Sequence, residues 1–591
     1  MPFRDLKSFL AKLESQGDLV KIKTQVNPEL EITEIVTRII KQDGPALLFE
    51  NVQGSNYPLV INLFGSIRRI ETAIGRPPEL IGRSLIDFIN HINPPSIQGL
   101  WKTKGQIKKL LSARTSKKWF RAPVQECTAP VDLTKLPALK CWPEDGGRFI
   151  TFPLVLTHDP LSKKRNLGIY RMQIQSHEQT GLHWQLGKGG GYHFNNAEKI
   201  NSELDIITVL GCDPSLMLSA ALPLPEGIDE IAFSGFLRES PLSMVRAKTQ
   251  PTMVPANAEF IIEGTAPPHV RNQEGPFGDH IGHYSEKENF PIFNIKTITH
   301  RKNPIFPAAV VGYPPQEDSA IGEASQEMIG PLIKIIHPEI IDMWSYSQAS
   351  FTNLVVVSVN SRYVKEPMKT ALGLLGNGQL SLSKCVILVE GDVSVRNWKN
   401  VAAEITHFFN PQNDFLLLPR LPSDTLDFTS YKIHLGSKMI IDATRFGKPN
   451  NNSESQIEFN QSHNLYEFSS MIYSWHYINE KFLVISTKEN GNKLLEILLK
   501  IPFFQKLKIL ALVSAETNLE DETSILWGIF SHFDPARDIR FPQTSLLNSV
   551  PIYEGTLAID ATNKLGYPKV LEMDSETIEL VNRRWKEYFK K

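Results

Sequence analysis

Apolar residues first recur at helical spacing. Leu6, Phe9, Leu10 and Leu13 form one stripe, Gly17 follows as a stop signal, and Leu19-Val20-Lys21-Ile22 then alternates as a strand does. The pattern repeats at once: Leu30, Ile32, Ile35, Ile39 and Ile40 predict a second helix, Gly44-Pro45 breaks it, and Ala46-Leu47-Leu48-Phe49 predicts a second strand. We read residues 1–115 as an N-terminal α/β domain. The text then changes to short β-rich runs such as 152–157 and 206–210, punctuated by Gly and Pro, which predict a β-barrel or sandwich over 116–315. Beyond it, strand-like 354–359 and 386–389 alternate with amphipathic segments, as expected of a second α/β domain over 316–455.

An internal repeat begins in that second α/β region and recurs beyond it. Lys384 to Asp414 aligns loosely with Lys508 to Asp538 at an offset of 124, pairing Phe409-Asn410-Pro411 with Phe533-Asp534-Pro535, and Ile441-Asp442-Ala443-Thr444 recurs as Ile559-Asp560-Ala561-Thr562. The polar stretch from Asn450 to Asn464 reads as a linker, and residues 456–591 as an extension resembling part of 384–445. The fold class is thus α/β with α+β character.

Composition narrows the function. Hydrophobic residues make up 41% and charged residues 21% of 591, with a formal net charge of −1, so neither disorder nor a field for nucleic acid is indicated. Lys102, Lys104, Lys108, Lys109, Arg114, Lys117 and Lys118 make a local cationic run, which is either a solvated helix face or a foothold for peripheral association with the inner membrane. Four scattered cysteines without metal-type spacing, and an N-terminus MPFRDLKSFL without a long apolar stretch, predict a reducing, cytoplasmic location. No apolar run reaches the roughly 18 residues a bilayer requires.

The chemistry concentrates in Glu274-Gly275-Pro276-Phe277-Gly278-Asp279-His280. Two carboxylates five residues apart, across a turn that Pro and Gly bar from regular helix, can converge on one cavity and divide into an anion and a proton donor. Upstream lie Arg165-Asn166-Leu167-Gly168-Ile169-Tyr170-Arg171, Gly187-Lys188-Gly189-Gly190-Gly191 and Gly227-Ile228-Asp229-Glu230. A glycine-rich turn beside a lysine suits a phosphate, although it would serve equally as a flexible hairpin, and Arg171 with Glu274 could be an ordinary salt bridge. With Glu144-Asp145-Gly146-Gly147-Arg148-Phe149-Ile150-Thr151, Pro255-Ala256-Asn257-Ala258-Glu259 and Gly436-Ser437-Lys438-Met439-Ile440-Ile441-Asp442-Ala443-Thr444, these segments resemble the UbiD family of carboxy-lyases, in the family's order and up to about residue 450.

The resemblance implies a central split β-barrel of the flavin-binding type and a prenylated FMN supplied by a flavin prenyltransferase. It further implies a Mn²⁺ (or Mg²⁺) ion held by Asn166 and Glu230, with K⁺ as a further ion. By position, Thr151, Asn166, Arg171, Lys188, Gly189, Gly190, Glu230 and Lys384 would meet the cofactor, and Arg171, Glu274 and Asp279 would carry the chemistry, with Asp279 as proton donor. For that role its pKa should be raised by burial and by the neighbouring anion. The implied activity is reversible, non-oxidative decarboxylation of a small aromatic or α,β-unsaturated acid, such as a 4-hydroxy-3-polyprenylbenzoate or naphthoate quinone precursor for ubiquinone or menaquinone, by a self-associating homo-oligomer. One departure stands out: relatives place a metal-binding histidine where this chain has Gly187, and His183 and His193 are the nearby substitutes. The alternative is therefore a flavin-binding scaffold impaired in turnover.

Overall fold

The computed structural model describes residues 3–92, 112–118, 122–184, 189–224, 227–430, 432, 434–448 and 464–590. Gly187 and Lys188, much of the cationic run and most of the 450–464 linker lie outside them. The chain forms two lobes, one of Met1–Ile329 with Pro568–Lys591 and one of Gly330–Tyr567. This differs from the four successive domains expected from the sequence. The reason is pairing: the N-terminal sheet runs Leu19–Ile22, Ala46–Phe49, Leu59–Ile61 and then Phe306–Pro307, so its last strand comes from the end of the 116–315 region and the first 115 residues do not complete their own sheet. Likewise the segment from Pro568 packs with the first lobe instead of staying with the 456–567 extension.

Local signals are obeyed in the first elements. Leu6–Ser15 is helical, Asp5 caps it by accepting from the Ser8 amide, and its stripe Leu6, Phe9, Leu10 and Leu13 is buried. Glu31–Ile40 buries Ile32, Ile35, Val36, Ile39 and Ile40 in the first lobe's core, together with Leu47, Phe49 and Ile61 of the sheet.

The heart of this lobe is a curled ten-stranded sheet, antiparallel at each pairing, in the order Phe149–Ile150, Met172–Ile174, Gln179–Leu182, Glu288–His300, Phe260–Ala266, Leu204–Leu210, Leu154–His158, Arg165–Ile169. The 13-residue strand Glu288–His300 is its spine, pairing also with Cys127–Ala129 and with Arg271–Glu274. A bulge at Glu263/Gly264 bends the neighbouring strand, and Gly264 lies so close that an added Cβ would sit 1.9 Å from the Asn294 carbonyl oxygen.

The second lobe holds two five-stranded sheets of identical strand order: Ile340–Ser345, Leu354–Val359, Cys385–Glu390, Gly436–Asp442, Phe415–Leu421, and then Ile472–Asn479, Phe482–Thr487, Ile509–Ser514, Leu557–Ala561, Ile539–Arg540. One apolar core joins them, with Trp398, Phe409 and Phe415 from the first copy against Phe482, Phe530 and Phe533 from the second. Their contacts are reciprocal: Lys384 Nζ donates to the Phe533 carbonyl at 3.0 Å, and Lys508 Nζ donates to the Phe409 carbonyl at 3.1 Å. Such exchange of equivalent contacts is the mark of an isologous interface. Among the described residues no helix is long and apolar enough to cross a membrane.

Candidate active site

Arg171 lies between the strands Arg165–Ile169 and Met172–Ile174, Glu274 ends the strand Arg271–Glu274, and Asp279 begins the loop of a hairpin in which Phe277–Gly278 pairs with Tyr284–Ser285. The curl of the sheet brings them together. Arg171 Nε donates to Glu274 Oε1 at 2.9 Å and Nη2 to Glu274 Oε2 at 3.2 Å, a two-pronged pair, while Nη1 donates to Asp279 Oδ2. Nη2 also reaches Ser285 Oγ at 3.0 Å, and the guanidinium carbon stands 4.5 Å from the Phe277 ring centre. All three charged side chains are buried, Glu274 completely.

The turn is fixed from below by Asp145, which enters the sequence pattern only as part of a motif, and by Gln173, which lies in none. Asp145 accepts the amides of Cys141 and Trp142 with one oxygen, both at 2.9 Å, and that of Gly278 with the other at 2.7 Å. Gln173 accepts from the Gly275 amide at 2.9 Å and donates to the Gly146 carbonyl at 2.8 Å. The approach is so close that a Cβ on Gly146 would sit 2.2 Å from the Gly275 carbonyl oxygen, which is why a glycine is needed there. Gly275 itself has φ +97°, a left-handed value that a side chain would strain.

Charge follows from these contacts. Burial pushes Glu274 up, but Arg171 and His183 outweigh it and hold the carboxyl at about 2. Burial also works on Asp279, yet its ion pair with Arg171 and its bonds from the His280 amide (2.7 Å) and ring Nδ1 (2.8 Å) hold it well below the usual carboxylate range. This corrects the expectation that Asp279 is raised: the guanidinium is shared by both acids instead of serving Glu274 alone. His183, weighed above as a metal ligand, belongs to this cluster. Its Nδ1 lies 3.0 Å from Arg171 Nη2 and 3.3 Å from Glu274 Oε2, and burial, then Arg171, lower its pKa. His193 is held elsewhere, 2.9 Å from Thr157 Oγ1. Asp318, which no motif singled out, is raised to about 6 by burial, with His280 and Asp279 as its charged neighbours.

A second corner lies at the start of helix Glu230–Arg238. The Leu167 amide donates to Glu230 Oε2 at 3.1 Å, which brings the carboxylate beside Asn166. Arg165 is committed to Asp229 at 2.5 Å, and burial raises Glu230 to about 7. Gly189 opens the helix Gly189–Lys199 against Asn166; a Cβ there would meet Asn166 Oδ1 at 2.0 Å. A Cβ on Gly190 would meet Trp184 Nε1 at 2.6 Å, and that buried indole N–H has no hydrogen-bond partner among the described residues. Oxygen ligands with a charge left unbalanced, glycines open to close approach and an orphaned donor together fit a divalent ion and the anionic end of a cofactor. Among the described residues no three His, Cys, Asp or Glu side chains gather into a metal cage. Thr151 Oγ1 accepts from the Ala309 amide at 3.0 Å. Lys384 belongs to the second lobe, where its buried ammonium pairs with Asp427 at 3.2 Å as well as with the Phe533 carbonyl.

Comparison with known proteins bears directly on this arrangement. Residues 10–89, 116–314 and 319–443 match the N-terminal, Rift-related and C-terminal domains of 3-octaprenyl-4-hydroxybenzoate carboxy-lyase. The chain is 41% identical over 447 residues to an uncharacterized protein of Archaeoglobus fulgidus, covering 75% of this chain and 92% of that one. It is 34% identical over 587 residues to a Chlamydia pneumoniae protein named as a component of 4-hydroxybenzoate decarboxylase, covering 99% and 98%. Among solved structures it is similar to the closed form of Sedimentibacter hydroxybenzoicus vanillic acid decarboxylase, with TM-score 0.67, 26% identity and 77% and 96% of the two chains covered. It also shares the fold of HmfF from Pelotomaculum thermopropionicum, solved with FMN, at TM-score 0.63 and 24% identity over 79% and 100%. The chain belongs to the UbiD family of carboxy-lyases.

Proposed function

We propose that this chain is a prenylated-FMN-dependent decarboxylase of a small aromatic or α,β-unsaturated acid, acting reversibly and without net oxidation. A hydroxybenzoate-type acid, including a polyprenylated one, is the leading substrate, because one full-length relative is named for 4-hydroxybenzoate and a solved neighbour for vanillic acid. The observation that carries the reading is the single buried guanidinium of Arg171 held by two acids, Glu274 and Asp279, 103 and 108 residues further along the chain. A buried ionic cluster costs desolvation and is a weak way to stabilise a fold, so its presence asks for a chemical reason.

Losing carbon dioxide from an aromatic ring leaves an sp² carbanion, and the prenylated flavin, when bound, supplies the electron sink. Asn166 and Glu230 would hold its Mn²⁺ or Mg²⁺, and Gly189, Gly190 and the Trp184 N–H would receive its anionic end. The chain's own residues then manage charge and protons. Glu274 occupies two prongs of Arg171 and stays ionised, whereas Asp279 has one, Nη1. An incoming substrate carboxylate competes most readily for Nη1. Once it takes that proton donor, Asp279 loses its main charge partner, burial dominates, and its pKa rises until it takes up one proton from solvent. When carbon dioxide departs, Asp279 delivers the proton to the ring carbon, and Arg171 takes the carboxylate back.

The test is co-expression with a flavin prenyltransferase, followed by absorbance, metal analysis and carbon dioxide release from a panel of hydroxybenzoates, naphthoates and cinnamate-like acids. Turnover that disappears in Asp279→Asn while flavin is retained supports the reading. A protein loaded with modified flavin that releases nothing from any acid supports the scaffold alternative.

A further inference from the structure

The C-terminal segment, which none of the three family domains covers, runs along the hairpin that carries Asp279. The Leu571 amide donates to the Gly282 carbonyl at 2.9 Å, the Tyr284 amide donates to the Lys569 carbonyl at 3.2 Å, and Val570 bridges His283 in antiparallel sense. These partners are the return limb of the Asp279 hairpin. The Asp279 amide donates to the His283 carbonyl and the Gly282 amide to the Asp279 carbonyl, each at 3.0 Å, and the next residue, Ser285, takes a hydrogen bond from Arg171. The hairpin itself pairs only two residues a side, Phe277–Gly278 with Tyr284–Ser285, and a ribbon that short does not hold its shape unaided. The tail is its third strand.

Side chains join the same contact. Leu571 is 5% exposed and packs over Gly278 and Gly312: a Cβ on Gly278 would lie 2.8 Å from Leu571 Cδ2 and 2.2 Å from Trp142 Cδ1. Trp142 is locked by its Nε1 donating to the Val311 carbonyl at 3.0 Å. Leu571 and Trp142 therefore close the back of the turn that carries Asp279.

The tail's far end is anchored independently. Helix Ser575–Tyr588 lies on Glu31–Ile40 and buries Thr577, Val581 and Tyr588. There the buried Glu31 carboxylate accepts from Arg584 and from the Tyr588 hydroxyl at 2.5 Å, and Arg38 donates to Asn582 at 2.7 Å. A stretch fixed to a helix at one end and hydrogen-bonded to a hairpin at the other transmits position.

We propose that residues 568–591 are a strap that positions the proton donor, with Val570 and Leu571 as positioning residues setting the register of the Asp279 turn against Arg171. The proposal rests on the reading of Asp279 as the acid.

Three changes to the full-length, flavin-loaded protein test it. Leu571→Gly, which removes the side chain behind the turn, should speed amide exchange at Tyr284 and lower kcat by about a hundredfold, the scale on which small misplacement acts, with KM and flavin content unchanged. A chain ending at Tyr567 should behave likewise and recover when a peptide of residues 568–591 is added. Lys569→Ala should change neither readout, because the strap uses the Lys569 carbonyl and the ammonium makes only an exposed pair with Glu144. Parental kcat in Leu571→Gly overturns the proposal, and so does a fall in kcat with parental exchange at Tyr284. Should the shortened chain not fold, Leu571→Gly decides alone. Should the loaded protein turn over no acid at all, the reading of Asp279 fails, while exchange at Tyr284 still decides whether the strap holds the turn.

Discussion

The buried Arg171 cluster and the half-buried Asn166–Glu230 corner stand in one lobe, and they differ in where the balancing positive charge comes from. Around Arg171 the protein supplies it: both acids are ionised, paired and held below their ordinary pKa. Around Glu230 the nearest guanidinium is spent on Asp229, and the acid rises to about 7. The first cluster is balanced by folding alone, and the second is not. Two glutamates of one lobe thus end one far below neutrality and one close to it through the placement of arginines.

Substitutions should expose this difference, starting with the guanidinium. Arg171→Met strands two buried carboxylates, and breaking such a pair costs about 3–5 kcal/mol, so denaturant unfolding should show a loss of that size together with complete loss of turnover. Asp279→Asn is smaller in stability but large in rate. Removing one positioned proton donor costs about 10²–10⁴ in kcat, read from carbon dioxide release at full flavin occupancy.

Glu274→Gln has a signed pH dependence. The folded pKa is depressed from 4.5 to about 2, so the carboxylate's stabilisation is present above the unfolded value and disappears as pH falls through about 2. The variant should be less stable than the parent by about 3 kcal/mol at pH 7, and the two unfolding curves should converge between pH 4.5 and 2. Glu230→Gln should do the reverse: because the folded pKa is raised from 4.5 to about 7, the parent loses stability as pH rises through that range, so the variant should be at least as stable as the parent at pH 7, with metal and flavin lost together. If Glu230→Gln kept both, the corner would not be a ligand site. The smallest effect expected is for Gly187→His, which supplies the imidazole that the family resemblance implies at this position and should raise Mn²⁺ retention.

Much of this was legible because it is local. The stripe of Leu6, Phe9, Leu10 and Leu13, the alternation at Leu19–Ile22 and the Pro/Gly turn between Glu274 and Asp279 each follow from neighbours within a few residues. The convergence of Arg171 on that turn came from the family's motif order and not from periodicity. What stayed hidden depends on contacts that span the chain. No pattern around His183 separates a residue that contacts Arg171 from one binding metal, because the distinction lies in which strand faces it. The shared guanidinium that lowers Asp279 is a matter of three distances. The strap is hidden for the same reason: Leu571 looks like any apolar residue until it is seen over Gly278.

The reciprocal lysines of the second lobe carry a consequence for how this chain can change over time. In an association of identical subunits every gene position is read twice across the two-fold axis, so donor and acceptor cannot be improved on one side only. Here the two halves are encoded separately. Asp534 takes the hydroxyl of Ser437 at 2.6 Å and its amide at 3.0 Å, while the counterpart positions hold Asn410 and Gly555, a charged acceptor and its donor having arisen on one side of the pseudo-axis alone. Fusion has freed each half to diverge without dragging its twin along.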